Sequence, residues 1–320
     1  MIMTAYVEMF CGAGLFGGAW HRAGFDCALA VDLDPEAIAS YRRNVSVNAK
    51  VGSAADVPAP VACDVLVAGP PCQGFSTLGR RDPTDRRNSL SSYVADWAQA
   101  LSPKVVVVEN VPPFLQSAHW STLTERFRAL GYGVDAWVLD AADFGAPQIR
   151  QRSFTIASRV GRPNRPAGVR GQQTVREALS ARIDERDPMH VWPEPSELAA
   201  RRIALVPEGG DKRDVLAAIP ELCPPSWSRI GCQATDAWGR MVWDKPANTL
   251  RCCFQNPSKG RYLHPVENRV ISLREGARIQ GVPDQWEFVG TRTSVARQIG
   301  NGVPLQLGEA IAGTVSAMIA

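Results

Sequence analysis

Four short runs of apolar residues in the first third of the chain constrain its fold most. They lie at residues 5–10, 28–31, 64–68 and 104–108, and helical patterning follows the first two. Continuous apolar runs, rather than alternating ones, are typical of strands that are buried on both faces of a parallel sheet. The pattern therefore predicts an α/β fold with a doubly wound sheet.

Composition excludes several classes of protein. The chain has 320 residues, of which 45% are hydrophobic and 21% charged, as in ordinary globular proteins. No apolar run approaches the roughly 18 residues of a membrane helix, and the N-terminus does not resemble a secretion signal. Eight cysteines without CxxC spacing argue against structural zinc and a disulfide framework, and favour a reducing, cytoplasmic location. The net charge of +3 does not by itself indicate a polyanionic partner.

Residues 161–246 differ in composition from the preceding part: they are rich in proline, arginine and glycine, and their apolar residues show no clear helical or strand period. We predict a larger domain formed by residues 1–160 and 294–320, and a smaller one formed by 161–293. Four tryptophans in the second domain are expected to be mostly packing residues: Trp192, Trp227, Trp238 and Trp243. Helical patterning returns at residues 273–280 and 305–317.

A glycine-rich turn follows the first predicted strand, at residues 10–14 (FCGAG). Glycines let the backbone approach a ligand closely, and Asp32, about twenty residues later, ends the next strand where an acid can bind ribose hydroxyls. The turn lacks the complete GxGxxG pattern, so nicotinamide binding is not favoured. A tight turn that only packs a helix on a strand is the alternative.

The third predicted strand leads into residues 69–76 (GPPCQGFS). Two prolines fix the backbone before Cys72, and ligands bind at the carboxyl ends of strands in such sheets. An isolated cysteine is usually an inert core residue, but this setting makes Cys72 a candidate nucleophile, provided that its thiolate is favoured. Glu109 ends the fourth strand and is a candidate acid, with a surface charge or helix cap as the alternative.

A pair of arginines occurs in residues 148–152 (QIRQR), just before a strand-like run. In an extended chain Arg150 and Arg152 point to the same side. Such a pair can hold a base carbonyl and a phosphate. An exposed, charged edge strand is the alternative interpretation.

Together, and in this order, these motifs resemble those of the cytosine-5 DNA methyltransferase family of bacteria and phages. Residues 274–281 (REGARIQG) and 298–304 (QIGNGVP) resemble two further motifs of that family. The resemblance covers nearly the whole chain. It implies a Rossmann-like methyltransferase sheet with a smaller target-recognition domain.

The resemblance also implies a cofactor, S-adenosylmethionine, with S-adenosylhomocysteine as its product. The substrate would be a cytosine flipped out of a specific duplex DNA site. Cys72 would attack C6 of the base, Glu109 would protonate N3 and Arg152 would bind O2, with Arg150 as the other catalytic arginine. The cofactor would be lined by Phe10, Gly12, Ala13, Gly14, Asp32, Leu33, Pro71, Leu90, Asn301 and Val303.

Three positions depart from the family pattern. Leu15 stands where a second glycine is common, and Gly302 stands where serine is usual. An acid that contacts the adenine is common near residue 53, where this chain has Ser53, with Asp56 three residues later; either could be the adenine contact. Residues 78–87, with four arginines, resemble the mobile loop that closes on DNA, and Thr249 resembles a supporting threonine.

Two other functions stay open: an RNA (tRNA) methyltransferase of the same fold, and an inactive DNA-binding relative. We expect a monomer that binds duplex DNA, with no metal and no membrane association. A cognate restriction endonuclease is a further candidate partner.

Overall fold

A seven-stranded sheet forms the centre of the computed structural model, which describes residues 4–71, 90–230 and 235–320. The strands follow the order β3-β2-β1-β4-β5-β7-β6, and only β7 runs antiparallel to its neighbours. The order reverses between β1 and β4, which opens a crevice at the carboxyl ends of the strands. The bounds are β1 (Ala5–Met9), β2 (Asp26–Asp32), β3 (Ala49–Val51), β4 (Val65–Ala68), β5 (Val105–Asn110), β6 (Gly133–Asp140) and β7 (Gln151–Ser158).

Helices cover both faces of this sheet, which confirms the doubly wound prediction. Alternate residues of β4 and β5 enter two separate buried clusters, one on each face. The cluster on one face includes residues of α1, α2 and α11, and the cluster on the other includes residues of α3 and α4. The bounds are α1 (Leu15–Arg22), α2 (Pro35–Asn44), α3 (Ser92–Leu101), α4 (Ala118–Ala129) and α11 (Leu305–Ile319).

The remaining elements are short and lie between β7 and α11. They are α5 (Val175–Leu179), α6 (Glu197–Ala204), α7 (Lys212–Ala218), α8 (Pro225–Ile230), β8 (Gly239–Arg240), β9 (Arg261–Leu263), α9 (Leu273–Ile279) and α10 (Arg292–Asn301). Strands β8 and β9 form a two-stranded sheet.

Two buried clusters organise this second part of the chain. One belongs to it alone and contains Trp227 and Trp238, which confirms their predicted packing role. The other joins Leu15 of α1 to residues of α9 and α10, so these helices pack directly on the sheet part. The exact domain bounds stay a prediction. None of the helices in the described ranges is both long and apolar enough to cross a membrane.

Candidate active site

The turn that follows β1 lies at the carboxyl edge of the sheet and has unusual backbone geometry. Phe10, Gly12 and Gly14 have positive φ angles of 57°, 53° and 89°. A Cβ atom on Gly14 would lie 2.9 Å from the Tyr41 ring, whereas one on Gly12 would meet nothing within 4 Å. Gly14 therefore serves close packing of α1, while Gly12 leaves open space beside the turn.

Asp32 ends the neighbouring strand β2, beside this space. Its Oδ2 accepts a hydrogen bond from the Gly12 N–H at 2.9 Å, and its Oδ1 accepts one from the Asp34 N–H at 2.9 Å. The carboxylate is thereby fixed, with further lone pairs left for a ligand. Leu33, the next residue, is 69% exposed and presents an apolar surface. A fixed acid, an apolar side chain and an open glycine turn fit a ribose and a flat base.

The segment between α10 and α11 closes the other side of the turn. Gly302 packs against the Leu15 side chain, and Val303 is buried in the same cluster as Cys11. Asn301 is exposed at the end of α10. The structure thus brings residues from both ends of the chain to one site. Of the other cofactor candidates, Ala13 is buried within the turn, and Pro71 and Leu90 are half-buried.

The two candidates for adenine binding differ in placement. The Gly52 N–H donates to the Asp32 carbonyl at 2.9 Å, so Ser53, two residues after the end of β3, lies at the edge of the sheet. The Ser53 hydroxyl accepts from the Ala55 N–H at 3.1 Å, and Asp56 is exposed.

A buried acid and an arginine form the second half of the site. Arg152 Nε on β7 lies 2.9 Å from Glu109 Oε1 on β5, and the two side chains are only 15% and 13% exposed. A Cβ atom on Gly69 would lie 3.5 Å from Glu109 Oε2. Asn110 donates from Nδ2 to the Pro70 carbonyl at 3.1 Å. The residues that lead into Cys72 are therefore fixed against the end of β5.

Burial decides the protonation of this acid. It raises the pKa of the Glu109 carboxyl above its ordinary value, and the positive charges of Arg152 and Arg150 oppose this only in part. Glu109 therefore holds a proton more readily than a solvated glutamate does. Such a group is better suited to donate a proton to a base nitrogen than a solvated glutamate is.

Arg150 also acts on Glu109 through its charge, but its hydrogen bonds differ from those of Arg152. Its side chain is 1% exposed, and its guanidinium donates to the Leu250 carbonyl at 2.6 Å and the Gly300 carbonyl at 2.8 Å. These acceptors lie in the second part of the chain and next to Asn301. The predicted arginine pair is thus divided: Arg152 lies against Glu109, and Arg150 joins distant backbone segments.

Cys72 and the arginines of residues 78–87 lie outside the described residues. Burial raises the pKa of the Cys11 and Cys27 thiols, and it raises that of Cys63 to about 12. These three thiols therefore stay protonated at neutral pH and are poor nucleophiles. In the described ranges, no three histidine, cysteine or acidic side chains are grouped as metal ligands.

Sequence reasoning missed Glu8, which lies in β1 beneath the glycine turn. It is 2% exposed, and the Tyr41 hydroxyl donates to its Oε2 at 2.8 Å. Burial raises the pKa of Glu8 to about 8. The available signal was a single charged residue in an otherwise apolar strand, which is costly unless the charge is neutralised or paired.

Comparisons with known proteins agree with this geometry. The family model for C-5 cytosine-specific DNA methylases matches residues 4–317, so the chain belongs to that family and is a DNA cytosine-5-methyltransferase. Type II methyltransferase M1.HphI of Haemophilus parahaemolyticus is 31% identical over 337 residues, which cover 98% of this chain and 87% of the relative. Type II methyltransferase M.AgeI of Thalassovita gelatinovora is 28% identical, with 98% and 99% covered.

Solved structures support the fold. The Entamoeba histolytica methyltransferase EhMeth superimposes with a TM-score of 0.73 at 15% identity, and all of both chains is covered. The S. pombe Dnmt2 methyltransferase gives a TM-score of 0.62 at 16% identity, with 99% of this chain and 98% of the other covered. The predicted family and fold are confirmed.

Proposed function

We propose that the chain methylates C5 of a cytosine flipped out of a specific duplex DNA sequence, through a covalent bond between Cys72 and C6 of the base. The observation that carries this proposal is the Glu109–Arg152 pair at the carboxyl edge of the sheet. The pair lies against the residues that lead into Cys72, at the same edge as the glycine turn. Base flipping is needed because the ring is unreachable inside the duplex.

The chemistry follows from the weakness of C5 as a nucleophile. The Cys72 thiolate forms a bond to C6, and the electron pair of the C5–C6 double bond moves towards N3. Glu109 delivers a proton to N3, and Arg152 stabilises the charge at O2. S-adenosylmethionine, when bound, supplies the methyl group and the electrophilic carbon that the enamine at C5 requires. A base, which water can provide, then removes the C5 proton, and the C5–C6 double bond forms as the Cys72–C6 bond breaks. N3 returns its proton to Glu109, which restores the neutral aromatic ring.

The cofactor would lie in the space beside Gly12. Asp32 would bind the ribose hydroxyls, and Leu33 would contact the adenine ring. The remaining contacts are proposed from the family resemblance and include Phe10, Ala13, Gly14, Pro71, Leu90, Asn301 and Val303. Arg150 is assigned a supporting role, because its guanidinium is occupied by two backbone carbonyls.

Type II methyltransferases are prominent among the relatives, which supports a role in restriction and modification. We infer that the chain acts as a cytoplasmic monomer on one DNA site, and that a cognate restriction endonuclease cuts the same site. Bisulfite sequencing of DNA from cells that express the chain would identify this sequence. Labelled methyl transfer to duplex DNA and to transfer RNA separates DNA from RNA as the substrate; incorporation only into RNA would contradict the proposal.

Trapping on duplex DNA that contains 5-fluorocytosine tests the nucleophile. Fluorine at C5 cannot leave as a proton does, so the adduct with the wild-type protein should persist as a band stable in denaturing gels. Cys72→Ala should abolish this band. Cys223→Ala, at a partly exposed cysteine in the second part of the chain, should trap as wild type does. A band that survives in Cys72→Ala excludes Cys72 as the nucleophile.

A further inference from the structure

Arg150 contacts two segments of the chain that lie far from it in sequence. Its Nη1 donates to the Leu250 carbonyl at 2.6 Å, and its Nη2 donates to the Gly300 carbonyl at 2.8 Å. Both acceptors are backbone groups, so the contact fixes the path of the chain. Hydrogen bonds from a charged donor are about twice as strong as neutral ones. A shift of either segment is therefore resisted by the same guanidinium.

Gln148 and Gln280 complete a buried ring with Arg150. Gln148 Oε1 accepts from the Leu250 N–H at 2.8 Å, and its Nε2 donates to Gln280 Oε1 at 3.0 Å. Gln280 Nε2 in turn donates to the Ile299 carbonyl at 2.6 Å. Both glutamines are fully buried. The Leu250 peptide group is thus held on both its N–H and its carbonyl side.

The ring joins the two ligand sites of the proposed function. Gly300 directly precedes Asn301, in the segment that packs on the glycine turn through Gly302 and Leu15. Leu250 follows Thr249, whose hydroxyl donates to the Ile149 carbonyl at 2.8 Å, and leads into partly exposed residues of the second part of the chain. Arg150 is two residues from Arg152, the partner of Glu109.

A second observation shows that the two segments also touch directly. A Cβ atom on Gly300 would collide with the backbone of residues 251 and 252. The backbone of residues 251 and 252 therefore contacts the Gly300 backbone directly, an approach that only glycine at position 300 allows. Movement of the segment at the cofactor turn would therefore displace residues 251 and 252, which begin a partly exposed segment of the second part of the chain.

We propose that Arg150 is a positioning residue that couples cofactor binding to DNA binding. The inference rests on the proposed function, since it takes residues 300–303 as a cofactor contact. Arg150 would act through the two backbone segments that its guanidinium holds, one beside the proposed cofactor site and one leading into the second part of the chain. Coupling between sites is reciprocal, so each ligand should tighten the binding of the other by the same factor.

The test measures DNA affinity by fluorescence anisotropy with and without S-adenosylhomocysteine, on a duplex carrying the site found by bisulfite sequencing. We expect S-adenosylhomocysteine to tighten DNA binding by about tenfold in the wild type. Arg150→Lys keeps the charge but can no longer bridge both carbonyls, so we expect this factor to fall below about threefold. Calorimetry should show the affinity for S-adenosylhomocysteine alone changed by less than about threefold.

Arg152→Lys is the matched control. It alters the neighbouring arginine of the same segment, and it should lower turnover while leaving the coupling factor at the wild-type value. Where Arg150→Lys does not fold, as judged by circular dichroism, Gln280→Leu opens the same ring at another point and should lower the factor likewise.

A wild-type coupling factor retained in the folded variant would overturn the proposal, as would the lack of any coupling in the wild type. If the wild type methylates duplex DNA in either case, the proposed function stands. Failure of the wild type to methylate duplex DNA would instead reject the proposed function itself.

Discussion

Two buried pairs of glutamate and arginine show how the same residue types serve chemistry in one region and stability in another. At the sheet edge, Arg152 approaches Glu109 through Nε at 2.9 Å, and burial raises the pKa of Glu109. In the second part of the chain, Arg269 donates to both oxygens of Glu275 at 2.7 and 2.8 Å, and the Ser272 N–H adds a third hydrogen bond. Burial also acts to raise the pKa of Glu275, but these contacts outweigh it and lower the pKa.

The difference lies in how completely each carboxylate is paired. The Arg269 guanidinium binds the Glu275 carboxylate through two parallel hydrogen bonds, a bidentate geometry that favours the ionised form. Among the described residues, Glu109 has one close cationic contact. The attraction to that cation is smaller than the free energy that the carboxylate loses when it is removed from water. An incompletely paired buried acid takes up a proton more readily than a fully paired one does, so it is better suited to transfer that proton. The first pair is therefore suited to catalysis and the second to holding α9 in place.

Glu109→Gln should show the largest effect and tests the catalytic half of the comparison. The amide cannot deliver a proton to N3, so we expect turnover to fall by about 10²–10⁴-fold, the usual range for general acid–base catalysis. DNA affinity should change little. Labelled methyl transfer at saturating DNA and cofactor measures the loss. Turnover equal to that of the wild type would remove Glu109 from the mechanism.

Glu275→Gln should act on stability instead. It leaves Arg269 buried without its main carboxylate partner, and we expect the free energy of unfolding to fall by about 3 kcal/mol. Methyl transfer by the folded fraction should stay close to wild type. Urea unfolding measures the change.

Glu287→Gln is the matched control, because it removes the exposed pair with Arg43, whose side chains are 55% and 64% exposed. We expect less than about 1 kcal/mol there. Equal losses in Glu275→Gln and Glu287→Gln would show that burial of the Glu275 pair contributes nothing.

Sequence could predict the sheet because its central strands leave a local signal. Strand β4 and residues 105–108 of β5 are continuous apolar runs. Asp32 ends β2 and Glu109 is the next-to-last residue of β5, so the parallel strands place both acids at one edge. Strand β6 was missed although residues 136–139 (AWVL) form a short apolar run. The strand lies at the edge of the sheet and is mostly only half-buried, and polar residues interrupt its apolar pattern on both sides of that run. The helices α5 to α8 span at most eight residues, too few for a period to be read.

The division between Arg150 and Arg152 could not be predicted from sequence. The partners of Arg150 are backbone carbonyls 100 and 150 residues away, and backbone groups carry no sequence signal. The alternation rule places two side chains on one side of an extended chain, but it does not say what lies there. Arg240 illustrates the same limit: it is buried and donates to four backbone carbonyls, those of Ile203, Val206, His264 and Glu267.

Glu8 extends the comparison to a buried acid that is held, among the described residues, by hydrogen bonds from Tyr41 and Gly17 rather than by an arginine. Burial raises its pKa from 4.5 to about 8, helped by the charge of Asp32 and opposed by hydrogen bonds from Tyr41 and Gly17. Between these two values the folded protein keeps a proton that the unfolded chain has lost. The free energy of unfolding should therefore fall as pH rises through this window, by up to about 1.4 kcal/mol per pH unit from this group.

Glu8→Gln should remove this dependence, because the amide does not titrate. Urea unfolding of wild type and variant from pH 5 to pH 8 isolates the contribution as the difference between the two curves. Glu275, whose pKa is lowered, contributes with the opposite sign: its stabilisation is present at neutral pH and is lost as pH falls. In Glu275→Gln, the free energy of unfolding should therefore depend less on pH at the acidic end of the range only. If the free energy of unfolding varies with pH in the same way in the wild type and in Glu8→Gln, Glu8 is ionised in the folded protein. Burial without an arginine partner would then not raise the pKa of this acid.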